Sequence, residues 1–83
     1  MKRSTRKIPS KGPIDWVAVG HRIRELRGFY MTQAEFAQRI GVTQGHLSVL
    51  ERGEAEAGAA VLLAISREFG KSVDWLLTGE EKK

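Results

Sequence analysis

Two glutamines, Gln33 and Gln44, and two shorter polar side chains, His46 and Ser48, stand with the arginines Arg22, Arg27, Arg39 and Arg52 as the groups best fitted to specific polar recognition. A side-chain amide presents a donor beside an acceptor, which matches the N6 and N7 edge of an adenine, while a guanidinium matches a phosphate. Bond-making chemistry is a poor fit. His21 and His46 have no nucleophile and orienting acid at a recognisable spacing, and there is no phosphate-cradling glycine loop, so the chain is not expected to be an enzyme. Cysteine is absent and His46 has no second His nearby, so neither a metal nor another cofactor is expected.

The 83 residues suffice for one small core. Net charge is +4, and residues 1–13 hold Lys2, Arg3, Arg6, Lys7 and Lys11 without an acid, so residues 14–83 sum to 4 − 5 = −1. Residues 1–13 read as a basic mobile arm, 14–79 as the folded domain and 80–83 as a charged tail. The basic start runs into Ile8, Pro9, Ser10, Lys11, Gly12 and Pro13, unlike a signal peptide, and no window approaches the roughly 20 apolar residues of a membrane span. A cytoplasmic, nucleoid-associated protein with no membrane partner is the expectation.

Apolar spacing predicts five helices and no strand, an all-α class. Asp15 caps a first helix in which Trp16, Val19, Ile23 and Leu26 recur, ending near Arg27 or Gly28. Thr32 and Glu35 form a T-x-x-E capping box for a second over 33–40. Thr43 caps a third over 44–52, which Gly53 stops, and residues 54–58 form a loop. Leu62, Ile65 and Phe69 line a fourth over 59–69, and Ser72 caps a short fifth over 73–77. Between residues 33 and 52, Phe36, Ala37, Ile40, Gly41, Val42, Leu47 and Leu50 have the order and spacing of a helix-turn-helix. Ala37 keeps the second helix narrow so that the third can cross it, and Gly41 accepts positive φ at the turn.

Projecting the third helix at about 100° per residue turns Thr43, Leu47 and Leu50 inward with Glu51 beside them. Gly45 and Val49 then point most directly outward, Gln44, Ser48 and Arg52 lie to one flank and His46 to the other. On this face Gln44 is the leading candidate for a base contact; Ser48, Val49, His46 and Gly45 are further candidates of low information. Gln33 opens the second helix, where backbone N–H groups and the dipole favour a phosphate. Thr43, Arg52, Arg39 and Arg22 are further phosphate candidates. Glu51 leans inward and needs a partner.

The blocks RIRELR at 22–27, MTQAEFAQRIGVTQ at 31–44, LERG at 50–53 and SVDWLLTG at 72–79 resemble the helix-turn-helix domain of the phage Cro and C1 repressors, the XRE family. The resemblance covers nearly everything except the arm. It implies a five-helix lambda-repressor-like fold, binding to double-stranded DNA as a homodimer on a two-fold operator, and transcriptional control, with repression the leading expectation. It also implies that Gln33 is a phosphate-binding glutamine and that Arg27 pairs with Glu51. An antitoxin that holds a toxin while autoregulating, or a protein interaction module with weak DNA binding, are the alternatives. The connection at 28–31 is about one residue shorter than relatives have, and Glu54, Ala55, Glu56 and Ala57 stand where relatives often carry a basic, proline-containing loop. Trp75 falls off the Val73, Leu76, Leu77 face; it is either an exposed dimer anchor or packs on the first helix near Trp16.

Overall fold

In the computed structural model, residues 14–80 are described, and the expected arm at 1–13 and most of the tail, 81–83, lie outside them. The elements are α1 (Trp16–Arg27), α2 (Gln33–Ile40), α3 (Gln44–Glu51), α4 (Ala59–Phe69) and α5 (Val73–Thr78), with no strand among the described residues. Each expected helix is present. The differences are at ends: Arg52 is the cap of α3 and α5 reaches Thr78.

The start signals act as their chemistry requires. Asp15 accepts from the Ala18 amide at 3.2 Å and Ser72 from that of Trp75 at 2.9 Å. At α2 the box is reciprocal: the Glu35 amide donates to Thr32 Oγ1 at 3.1 Å, and the Thr32 amide donates to Glu35 Oε1 at 2.9 Å. Gly41 closes α2 in the left-handed region at φ 81°, and the Val42 amide reaches back to the Ala37 carbonyl. This tight stop lets α3 begin at once at an angle to α2.

Packing runs α1 on α3 and α5, α2 on α3 and α4, and α4 on α5. Phe36, Ile23, Leu47, Ile65, Leu76 and Val19 are the largest fully buried side chains, each worth about 1.5–3 kcal/mol of apolar transfer. Phe36 of α2 stacks on Phe69 of α4 with ring centroids 4.6 Å apart and planes 5° from parallel. The helix-turn-helix thus rests on α4 below and α1 behind.

The crossing of α1 over α3 depends on a residue that periodicity alone does not mark. A Cβ on Gly20 would come within 2.5 Å of both the Leu50 and Glu51 carbonyl oxygens. Backbone atoms cannot rotate away, so only glycine permits this approach, and its cost of about 1 kcal/mol in helix propensity is offset by close packing.

Candidate nucleic-acid interface

The exposed start of α3 is the core of the candidate site. Thr43 Oγ1 accepts from the His46 amide at 3.0 Å, which satisfies one orphan donor of the first turn. Thr43, expected to turn inward, is exposed because this capping role holds its hydroxyl at the helix mouth. Gln44, Gly45 and His46 are exposed, whereas Leu47, Leu50 and Glu51 are buried. Ser48 and Val49 are half-buried. Val49 therefore points less openly outward than a regular helical projection predicts, and the open part of the face is the first turn.

Beneath that turn lies a hydrogen-bonded chain of four side chains. Arg27 grips Glu51 with two parallel bonds, Nε to Oε2 at 2.8 Å and Nη2 to Oε1 at 2.9 Å. Gln33 Nε2 donates to the same Oε1 at 3.0 Å, and Gln44 Nε2 donates to Gln33 Oε1 at 3.4 Å. The order of atoms follows from chemistry. An ionised carboxylate only accepts, so Gln33 must turn its NH₂ toward Glu51, and its carbonyl oxygen is left facing Gln44. The charge at the buried end therefore fixes the amide orientation at the exposed end.

Glu51 is only 5% exposed. Burial pushes its carboxyl up, but the bonds from Arg27 and Gln33 and the charges of Arg27 and Arg24 outweigh burial and hold it below the ordinary carboxylate range. The hydrogen bond to Glu51 correspondingly raises the Arg27 guanidinium. The Arg27–Glu51 pair implied by the resemblance is present in the structure, and Arg27 Nη1 also donates to the Met31 carbonyl at 3.4 Å, pinning the short connection before α2.

The other arginines expected to meet phosphate each face an acceptor of their own chain. Arg22 Nη1 donates to the Leu76 carbonyl at 2.9 Å, and its guanidinium packs within 3.2 Å of where a Gly79 Cβ would stand. It therefore closes the end of α5, a helix that packs on α1 and α4. Arg39 faces Glu68 of α4 at 3.7 Å, with both side chains exposed. Arg52 stays on the α3 flank but holds Glu54 bidentately, Nε to Oε2 at 3.0 Å and Nη2 to Oε1 at 3.1 Å. Its Nη1 also donates to Ser48 Oγ.

Phe29 and Tyr30, in the connection between α1 and α2, are each 99% exposed, and Phe29 borders grooves on both sides of that connection. Periodicity does not reach them because they belong to no helix. Trp75 is half-buried, not an exposed anchor, with the Lys71 ammonium 4.8 Å from its ring centroid. Among the described residues no group of three or more His, Cys, Asp or Glu side chains could hold a metal, and no helix is long and apolar enough to cross a membrane.

Comparison with known proteins supports a shared architecture. A sequence profile described as helix-turn-helix matches residues 22–76. A propionyl-CoA carboxylase regulator of Cereibacter sphaeroides is 37% identical over 65 residues, 77% of this chain but 14% of its own length. An HTH-type transcriptional regulator of Archaeoglobus fulgidus is 32% identical over 63 residues, 75% of this chain and 89% of its own. The P22 c2 repressor protein, solved in complex with a synthetic operator, superposes with a TM-score of 0.69 at 36% identity, covering 75% of this chain and 96% of that one. This chain thus spans about a seventh of the first of these relatives and nearly all of the other two.

Proposed function

The chain belongs to the helix-turn-helix family of DNA-binding transcriptional regulators of the Cro and C1 type, and we propose that it is a repressor that occupies a two-fold operator as a homodimer. In this reading residues 14–79 form the DNA-binding domain and α3 enters the major groove. Gln44 reads a base, with Gly45 and His46 beside it at the exposed first turn, and Ser48 and Val49 contribute further along the same helix. Gln33 and Thr43, at the mouths of α2 and α3, and Arg52 bind the backbone, with Arg39 and Arg22 able to join by exchange from their intrachain partners.

The observation that carries the reading is the chain from Arg27 through Glu51 and Gln33 to Gln44. An exposed glutamine on an eight-residue helix is ordinarily a loose solvated side chain. Here it is tethered to a buried ion pair, and holding a long side chain still before contact lowers the entropy lost on binding. Such tethering suits an amide that must meet an adenine edge in one orientation.

Selection of bound duplexes from a random library tests this. The expected result is a two-fold motif with half-sites about one turn, roughly 34–36 Å, apart. In the Gln44→Ala variant the preference at one adenine in each half-site should fall by about 1–3 kcal/mol. A library that yields no enriched motif overturns the proposal. The exposed pair Phe29 and Tyr30 favours a second reading, in which a protein partner, a toxin or another regulator, is held as well, since adjacent uncovered aromatics often mark a contact surface.

A further inference from the structure

The acidic residue that follows α3 has a specific partner. Glu54 spans the Arg52 guanidinium with two bonds at 3.0 and 3.1 Å, in the geometry by which arginine holds a phosphate, and Arg52 Nη1 is bonded to Ser48 Oγ. The three side chains form one exposed network on the flank of the recognition helix that also carries Gln44. We propose that Glu54 is an internal phosphate surrogate: it holds Arg52 across Ser48 in the unbound protein, and DNA must displace it to gain both the cation and the hydroxyl. This inference rests on the DNA-binding reading above.

The carboxylate oxygens occupy the acceptor positions that two phosphate oxygens would take, so Arg52 cannot hold both groups by the same two N–H bonds. The bond from Arg52 draws the Glu54 carboxyl below its ordinary value and raises the guanidinium, so both remain charged at neutral pH. While Glu54 holds Arg52, the cation makes no phosphate contact and releases no condensed cation from the duplex, so on a random duplex the pair adds nothing to the salt dependence. Arg52 thus contributes orientation and exchange in place of net counterion release, and Ser48 becomes free to turn toward a base edge only after the exchange. Glu54 is in these terms a positioning residue that acts on DNA through Arg52.

The test is a salt titration of binding to a fluorescently labelled random-sequence duplex, with wild type, Glu54→Gln, Arg52→Gln and the double variant, all full-length. An unpaired Arg52 adds about 0.9 to the slope of log K against log salt, which amounts to about eightfold in affinity over a tenfold range of salt. Glu54→Gln is therefore expected to bind about eightfold more tightly than wild type at about 50 mM salt, to converge with it near about 0.5 M, and to show the steeper slope. In the Arg52→Gln background the same Glu54 change is expected to leave the slope unaltered. An equal gain from Glu54→Gln with and without Arg52 overturns the proposal and reduces Glu54 to a repulsive surface charge. Unchanged binding by Glu54→Gln overturns it as well. Wild type that binds no duplex, random or selected, at any salt overturns the DNA-binding reading itself and the proposal with it. The network is exposed, so thermal melts of the variants are expected to match wild type and serve as the check on folding.

Discussion

Replacing Glu51 by glutamine changes one atom and should disable both the fold and the site. The carboxylate accepts three bonds: Arg27 Nε at 2.8 Å, Arg27 Nη2 at 2.9 Å and Gln33 Nε2 at 3.0 Å. A glutamine has one acceptor oxygen, and its NH₂ must then face a guanidinium or an amide NH₂ that also donates. At least one charge-assisted bond is lost, and Arg27, 17% exposed along its side chain, keeps its charge without a counterion. A hydrogen bond to a charged group is worth about 1.5–3 kcal/mol, and breaking one side of a buried pair about 3–5 kcal/mol. Partial access of water to Arg27 pulls the sum to the lower end, about 3 kcal/mol. For a domain of this size that is a fall of about 12–24 °C in Tm. Urea denaturation checks it by a lowered midpoint at constant slope. The pH dependence gives an independent reading. Because the folded Glu51 titrates below its ordinary value, its contribution is complete above the unfolded value of about 4.3 and declines as pH falls through the lower folded value. Glu51→Gln removes that part of the acid dependence, so the two stability curves should converge as pH falls below about 4.3. A loss under about 1 kcal/mol at neutral pH refutes the reasoning, for it would rank the pair with screened surface contacts.

Gly20→Ala puts a methyl within 2.5 Å of two backbone oxygens of α3. It should cost about 1–3 kcal/mol or more by forcing α1 and α3 apart, against the gain an exposed helix would show for the same change, and an unaltered urea midpoint would contradict the close approach. Thr32→Ala removes the hydroxyl that accepts from the Glu35 amide, while the backbone N–H of residue 32 still donates to Glu35, and should cost about 1 kcal/mol, read as a shift of a few degrees in Tm. An unchanged Tm would show that solvent replaces the lost cap bond.

The sequence announces its helices clearly because the signals are local. Asp15, Thr32, Thr43 and Ser72 each accept the amide three residues on, and such caps are readable from type and position alone. Gly20 carries no such local signal, because what it approaches is thirty residues away and no period reveals it. The Arg27–Glu51 pair followed from the resemblance, while the bond from Gln33 that turns the pair into a tether did not, because it depends on the crossing angle of α2 and α3. The intrachain partners of Arg22 and Arg39 were hidden for the same reason. A helical projection says which way a side chain leaves its own axis, but not whether a carbonyl at the end of α5 or a carboxylate on α4 lies within reach.

The pairing of the arginines bears on how the domain can gain affinity. Arg22, Arg27, Arg39 and Arg52 each face an acceptor of their own chain, at Leu76, Glu51, Glu68 and Glu54. A cation already paired contributes to phosphate binding only by exchange, and exchange releases less counterion than addition. Residues 14–83 carry a net charge of −1, so little long-range attraction for a polyanion resides there, whereas residues 1–13 hold five cations and no acid. The charge of the chain and the amide proposed to read a base are therefore on separate segments. In the proposed reading, discrimination falls to Gln44 and the exposed first turn of α3, and attraction to the segment before Ile14. Removing the second should weaken binding to all duplexes alike and flatten the salt slope, while changes at the first should alter which duplex is preferred and leave the slope in place.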